Sequence, residues 1–188
     1  DQKSPTYPIN VPALCADCHR EGEQAAVRYT GTQHDIIEHY TESIHGKGLL
    51  ESGLVVTAMC TDCHTAHHVL PKDDPESSVN HENVPQTCAR CHNGIFEKFS
   101  KSIHSVTVSE SEEKLPSCID CHNSHTIART GDEGFKLTIT QQCGECHKDV
   151  TETYFETFHG KVSKLGYAGA AKCYDCHGSH DILPPTEP

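Results

Sequence analysis

The sequence predicts mainly irregular coil with short α-helices, in three tandem modules, with little or no β-sheet. Three observations carry this. First, large apolar side chains are scarce: 188 residues include 5 Phe, 6 Tyr, 1 Met and no Trp, and apolar residues make up 35%. That is under the usual share of about 45–50% even when Gly is counted. Second, all 12 Cys fall into six Cys-x-x-Cys-His motifs, with none left over. Third, the motifs alternate with a further set of His at repeating positions. Such a chain does not offset its ordering entropy with side chains alone, so something else must fill its interior.

The motifs are Cys15-Ala16-Asp17-Cys18-His19, Cys60-Thr61-Asp62-Cys63-His64, Cys88-Ala89-Arg90-Cys91-His92, Cys118-Ile119-Asp120-Cys121-His122, Cys143-Gly144-Glu145-Cys146-His147 and Cys173-Tyr174-Asp175-Cys176-His177. Two thiols at this spacing reach the two vinyl groups on one porphyrin edge, and the adjacent imidazole turns under the ring to bind iron. A disulfide framework leaves the six His unexplained. Structural zinc wants paired Cys-x-x-Cys units converging on one ion and does not require the His. Thioredoxin-type redox motifs need a strand-and-helix setting that this sequence lacks. The expectation is six haem c groups, with the short helices packed around them.

The motifs pair into modules over 1–70, 71–128 and 129–188. Within each module lies a short signature: Ser43-Ile44-His45-Gly46, Ser102-Ile103-His104-Ser105 and Thr157-Phe158-His159-Gly160. After each second motif comes another His, three residues on: His67, His125 and His180. The repeat thus supplies six candidate distal ligands for six irons: His45, His67, His104, His125, His159 and His180. His34, His39, His68 and His81 lie outside it; His68 competes with His67, and His39 with His45.

His122 and His125 are separated by at most about 10 Å of chain, too little to wrap round a porphyrin. His125 is therefore expected to bind the iron of a different haem, and likewise His67 and His180. One short peptide then holds two haems close together. His on both faces keeps the potential lower than Met would. The single Met, Met59, directly precedes Cys60 and is badly placed for that haem's far face. Irons closed on both sides read as relays.

On these motifs and flanking signatures, nearly the whole chain resembles the multihaem cytochromes c of anaerobic respiring bacteria and archaea built from paired motifs. The resemblance implies low-potential electron transfer, haem attachment outside the cytoplasm, and a periplasmic or extracellular location. It also implies redox proteins, an extracellular acceptor or copies of the same chain as partners. The rival reading is a reductase of nitrite, hydroxylamine or a sulfur oxyanion. Enzymes of that kind keep one haem open, sometimes with Lys in place of the motif His, whereas every motif here ends in His. The chain opens on Asp1-Gln2-Lys3-Ser4 with no apolar run, as expected of a mature exported form. No stretch has the ~18 consecutive apolar residues of a membrane span.

The remaining elements follow in order. Residues 20–34 read as a surface insertion in the first module. Apolar residues at helical spacing predict one helix per module ending near the signature His: around Ile36–Tyr40, across Gly94–His104 and across Val150–His159. Residues 71–85 and 109–116 read as polar loops, with Glu110, Glu112 and Glu113 solvated. A formal net charge of −12 argues against nucleic acid, which attracts basic surfaces. Finally, the two ends resemble the halves of an internal linker. Joining residue 188 to residue 1 separates His180 from Cys15 by 23 positions, against 21 from His67 to Cys88. This predicts a longer array or head-to-tail stacking into a filament, with a monomeric periplasmic shuttle or a membrane-complex subunit as the alternatives.

Overall fold

The computed structural model describes residues 1–184. Among them there is no β-strand, and short helices are joined by turns and coil, as the composition predicts. The chain divides into two compact units: Asp1–Asn83 with His122–Ala128, and Val84–Cys121 with Arg129–Pro188. The first unit therefore holds two motifs of the first module together with the closing segment of the second.

In the first unit, a 3₁₀ turn over Pro8–Asn10 leads into α1 (Val11–His19), where Pro12 sits in the first turn. A missing N–H costs nothing there. The helix ends on the motif itself, with His19 in its last turn. The insertion contributes α2 (Gln24–Arg28). Next come α3 (Ile36–Glu42), α4 (Ile44–Leu50) and the single turn α5 (Cys60–His64). Helix α1 packs against α2, α3 and α5, and α3 against α4. Val11, Ala16, Ile37 and Leu49 are buried here.

The second unit holds α6 (Val84–Phe99), α8 (Glu133–Gly144), α9 (Lys148–Glu156), α10 (Phe158–Lys164) and α11 (Cys173–His177), while α7 (Cys118–His122) ends where the units divide. Helix α6 is kinked at His92, with φ −103° and ψ 40°. His147 has nearly the same conformation, φ −98° and ψ 54°, and starts α9 directly. In the second and third modules a helix thus begins directly at the motif His. The first module places residues 20–34 between its motif and the corresponding helix α3.

The expected helices end near the signature His: α3 at Glu42, α6 at Phe99 and α9 at Glu156. The sequence reading did not foresee the second helices, α4 and α10, that begin at two of those His. Residues 71–83 are turns, but not a featureless loop. Asp74, Ser77, Asn80 and Asn83 each donate a backbone N–H to the carbonyl three residues earlier, and Ser77 is 2% exposed.

Candidate metal centres

The six motifs fall into two structural kinds. The first motif of each module lies in or runs on from a longer helix: within α1, within α6, and from the last two residues of α8 into the turn that follows. The second is a lone five-residue turn: α5, α7 and α11. Each lone turn is closed by an aspartate inside the motif. Asp62 accepts from the Met59 N–H at 2.8 Å, Asp120 from Ser117 at 2.6 Å and Asp175 from Lys172 at 2.7 Å. A carboxylate in the first turn satisfies a backbone donor with no helical partner and favours the positive end of the turn. The signal was in the sequence, as an Asp before the second Cys of every second motif.

A left-handed residue follows each lone turn: Thr65 at φ 65°, Asn123 at φ 61° and Gly178 at φ 77°. Only Gly adopts this without cost. The reversal carries the chain away from the motif before the His three residues on, so that this His projects elsewhere.

The structure brings two such pairs of imidazoles face to face. In the first unit the ring centroids of His64 and His125 are 6.1 Å apart, with planes 7° from parallel. In the second, His104 and His147 are also 6.1 Å apart, tilted by 31°. In each pair a motif His faces a repeat His of a different module. Gln33, from the insertion, lies 3.4 Å from Nδ1 of His125 and 3.3 Å from Ser124 Oγ. His39 is near enough to His125 to influence its charge.

Burial sets the electrostatics. The pKa of His125 is pushed down to about 4, by desolvation first and then by the charges of His64 and His39. His64 is lowered by burial and then by His19, and His104 by burial and then by His147. His180 is lowered by burial, with Asp181 opposing and Lys98 reinforcing. Neutral imidazoles are the metal-binding form. His45, His104, His125 and His180 are half-buried, whereas His67 and His159 are exposed. Among the described residues those two face no partner imidazole, and His159 packs edge-on only against the adjacent Phe158.

The thiols repeat as well. The first Cys of the two motifs in a module are hydrogen-bond neighbours in all three: Cys15 with Cys60, Cys88 with Cys118, and Cys143 with Cys173. Burial first, then Cys15, pushes Cys60 up to about 12. The shared bond raises Cys88 and lowers Cys118. It likewise raises Cys143 and lowers Cys173 to about 6. Cys121 in turn lies close to Cys146, so that the second and third modules adjoin at their motifs.

The signature His are held by two devices. In the first and third modules, Ser43 and Thr157 cap α4 and α10 by accepting from the N–H of Gly46 at 3.0 Å and Gly160 at 3.2 Å. Tyr40 and Tyr154 donate their hydroxyls to the carbonyls of Ala58 and Ala171, just before the second motif. In the first and second modules, a backbone clasp fixes the signature to the segment after a later His. Ile44 N–H donates to Ile127 O, and Ile103 N–H to Ile182 O, both at 2.8 Å.

These features fit haem c. Each lone motif is one helical turn, which sets two thiols on one face. A centroid spacing of 6.1 Å leaves room for a metal ion between two imidazoles. Among the described residues the polypeptide buries seven apolar side chains and leaves 18 large ones exposed, the balance expected of a chain that packs around a large apolar group. Buried Oγ of Ser117, Oγ1 of Thr140 and Oε1 of Gln142, all close to the fourth and fifth motifs, have no protein partner.

Motif geometry and composition resemble those of multihaem c-type cytochromes. More particularly, residues 74–148 match the family described as cytochrome c7 and related cytochrome c, which supports electron transfer by covalently bound haem. The matched stretch contains the third, fourth and fifth motifs and both members of the His104–His147 pair. No curated protein and no solved structure matches the chain. No helix among the described residues is long and apolar enough to cross a membrane.

Proposed function

We propose that the chain is an exported electron carrier with six haem c groups, each low-potential iron held between two His. The single observation that carries this is the nearly parallel His64–His125 pair at 6.1 Å. When bound, haem iron supplies reversible one-electron chemistry. The chain's residues do the rest. The paired Cys fix each porphyrin edge, and the motif His fixes the near axial position. His45, His67, His104, His125, His159 and His180 are the distal ligands.

With both faces taken, no axial site is left for a substrate, which favours relay over reduction of nitrite or a related oxyanion. Burial favours the neutral, iron-binding form of His64, His104, His125 and His180. Asn123, between a motif His and the distal His of another haem, ties two groups through three peptide bonds. The thiol neighbours do the same at the porphyrin edge. Short, fixed separations in a dry interior are what rapid electron transfer along a chain needs. The three sequence modules are the repeating unit of that chain, which serves anaerobic respiration at the cell surface or in the periplasm.

The test is the mass and ferric spectrum of the mature protein. The expected results are the polypeptide plus six haems, and one new high-spin haem on His125→Ala. Fewer than six haems in mature protein, or an unchanged spectrum in that variant, would overturn the reading.

A further inference from the structure

We infer that a second copy of this chain completes the first and last haem sites, with His159 of one copy facing His19 of the next and His67 of the next facing His177 of the first. This rests on the haem reading above and names the partner for it.

The two observed imidazole pairs state a rule. His104 of the second module faces the first motif of the third, and His125 of the second module faces the second motif of the first. A signature His thus serves the first motif of the following module. A closing His serves the second motif of the preceding one. Applied along the chain, the rule leaves two ligands with no motif, His159 and His67, and two motifs with no ligand, those of His19 and His177. Among the described residues none of these four faces a partner imidazole. His159 and His67 are also the two repeat His that are exposed rather than half-buried.

The backbone clasp shows the same offset. Ile44 and Ile103 each donate to the carbonyl two residues past a closing His of the next module, Ile127 and Ile182. The third donor in the series, at Phe158, and the third carbonyl, at Val69, are left over, and their side chains are 77% and 62% exposed. Val69 lies two residues past His67, as Ile127 lies two past His125.

A third observation is independent of both. Residues 1–10 fold as 74–83 do. Asp1 and Asp74 each accept from the N–H two residues on. The Asn10 amide donates to the carbonyls of Gln2 and Ser4, and the Asn83 amide to those of Pro75 and Ser77, at the same offsets. In both stretches every third N–H closes a turn. Residues 74–83 pack on the end of the module before them, through Ser77 to Leu70 O and Ser78 to Cys63 O. At the same offsets Ser4 stands where Ser77 does and Pro5 where Ser78 does, so residues 1–10 keep one of the two donors, with its matching acceptor at Leu183.

All three sets of left-over groups point the same way, from the third module of one copy to the first module of the next. Such a contact joins unlike surfaces, and repeated without closure it builds a filament. A second copy carries both halves of what is missing, which is why the occupant is this chain.

The test follows spin state and size together in the full haem-loaded protein. On dilution it should dissociate, and two of the six haems should turn high-spin; on concentration it should associate and return to low-spin. The double variant His67→Ala/His159→Ala should stay monomeric, with two high-spin haems at every concentration, while His68→Ala behaves as the unaltered chain. Because both replaced side chains are exposed, folding is retained, and an unchanged low-spin contribution from the His64–His125 haem verifies this. Six low-spin haems in a monomer at all dilutions would overturn the inference and leave the electron-carrier reading intact. So would a native mass showing additional modules that supply both ligands within one chain.

Discussion

The second module holds its signature His differently from the first and third, and the contrast separates two jobs. In the first and third, Tyr40 and Tyr154 anchor a capped helix, and Gly46 and Gly160 let it pass close to the helix before it. A Cβ on Gly46 would lie 2.0 Å from Tyr40 O, and one on Gly160 2.2 Å from Tyr154 O. At the corresponding places the second module has Phe99 and Ser105, and no helix follows His104. There the grip is tertiary. Ser102 Oγ donates to Ile182 O at 3.2 Å, beside the Ile103 N–H bond to the same carbonyl. A signature His held by a clasp, His104, needs no helix of its own. One that has no clasp, His159, relies wholly on its own helix.

Acid should break this comparison most completely. The unfolded His pKa is 6.5, and that of folded His125 is about 4. The folded form excludes the proton, so its contribution to stability is whole above pH 6.5 and is lost as pH falls from there to about 4. Iron on His125 opposes the proton further, so the expected outcome is a high-spin haem appearing at the low end of that fall or below it, His125 being the more strongly shifted partner of its pair. An acid titration of the ferric spectrum checks it, with His104→Ala as background to isolate the His125 site.

Next in size are the glycines. Gly46→Ala and Gly160→Ala should each cost about 1–3 kcal/mol through a clash with backbone. Ser105→Ala should cost about 1 kcal/mol, the bond from Ser105 Oγ to Thr107 Oγ1. Thermal unfolding of the haem-loaded variants measures the difference. Smaller again, Tyr154→Phe should cost about 1 kcal/mol by leaving Ala171 O without its donor, and Phe99→Tyr should restore nothing to a module that lacks the helix. The smallest effect is a gain. Thr65 holds φ 65° and ψ 171°, a region suited to Gly. Thr65→Gly should stabilise by roughly 1 kcal/mol, whereas Gly178→Thr should lose as much.

Much of this was legible in the residues. Six motifs, the signature His and a polar, aromatic-poor chain already implied short helices around a large apolar group, because thioether chemistry fixes its own spacing. The expectation that His125 serves a haem other than that of His122 came from three residues of chain, and the structure sets His125 beside His64. What stayed hidden depends on distance through space. Nothing in the order of residues showed that His104 would face His147, or that Ile127 O would fall opposite Ile44 N–H. Lys172 was hidden too. At 1% exposure its amine donates to Ala170 O at 2.7 Å, a burial that neither composition nor period foretells. The helices after His45 and His159 were legible in principle, since Ser43 and Thr157 precede a glycine that only a close helix crossing requires.

The thiol neighbours have a consequence for how the protein is made. In the folded arrangement Cys15 with Cys60, Cys88 with Cys118 and Cys143 with Cys173 are neighbouring thiols. In an oxidising compartment such a pair is one two-electron step from a disulfide, with loss of two protons. That bond would join two motifs and block both vinyl attachments at once. Maturation is therefore a race between reductant and oxidant. On the haem reading proposed above, the chain must be kept reduced, or kept from collapsing, until one motif of each pair carries its haem, after which the second thiol has no partner left with which to misreact.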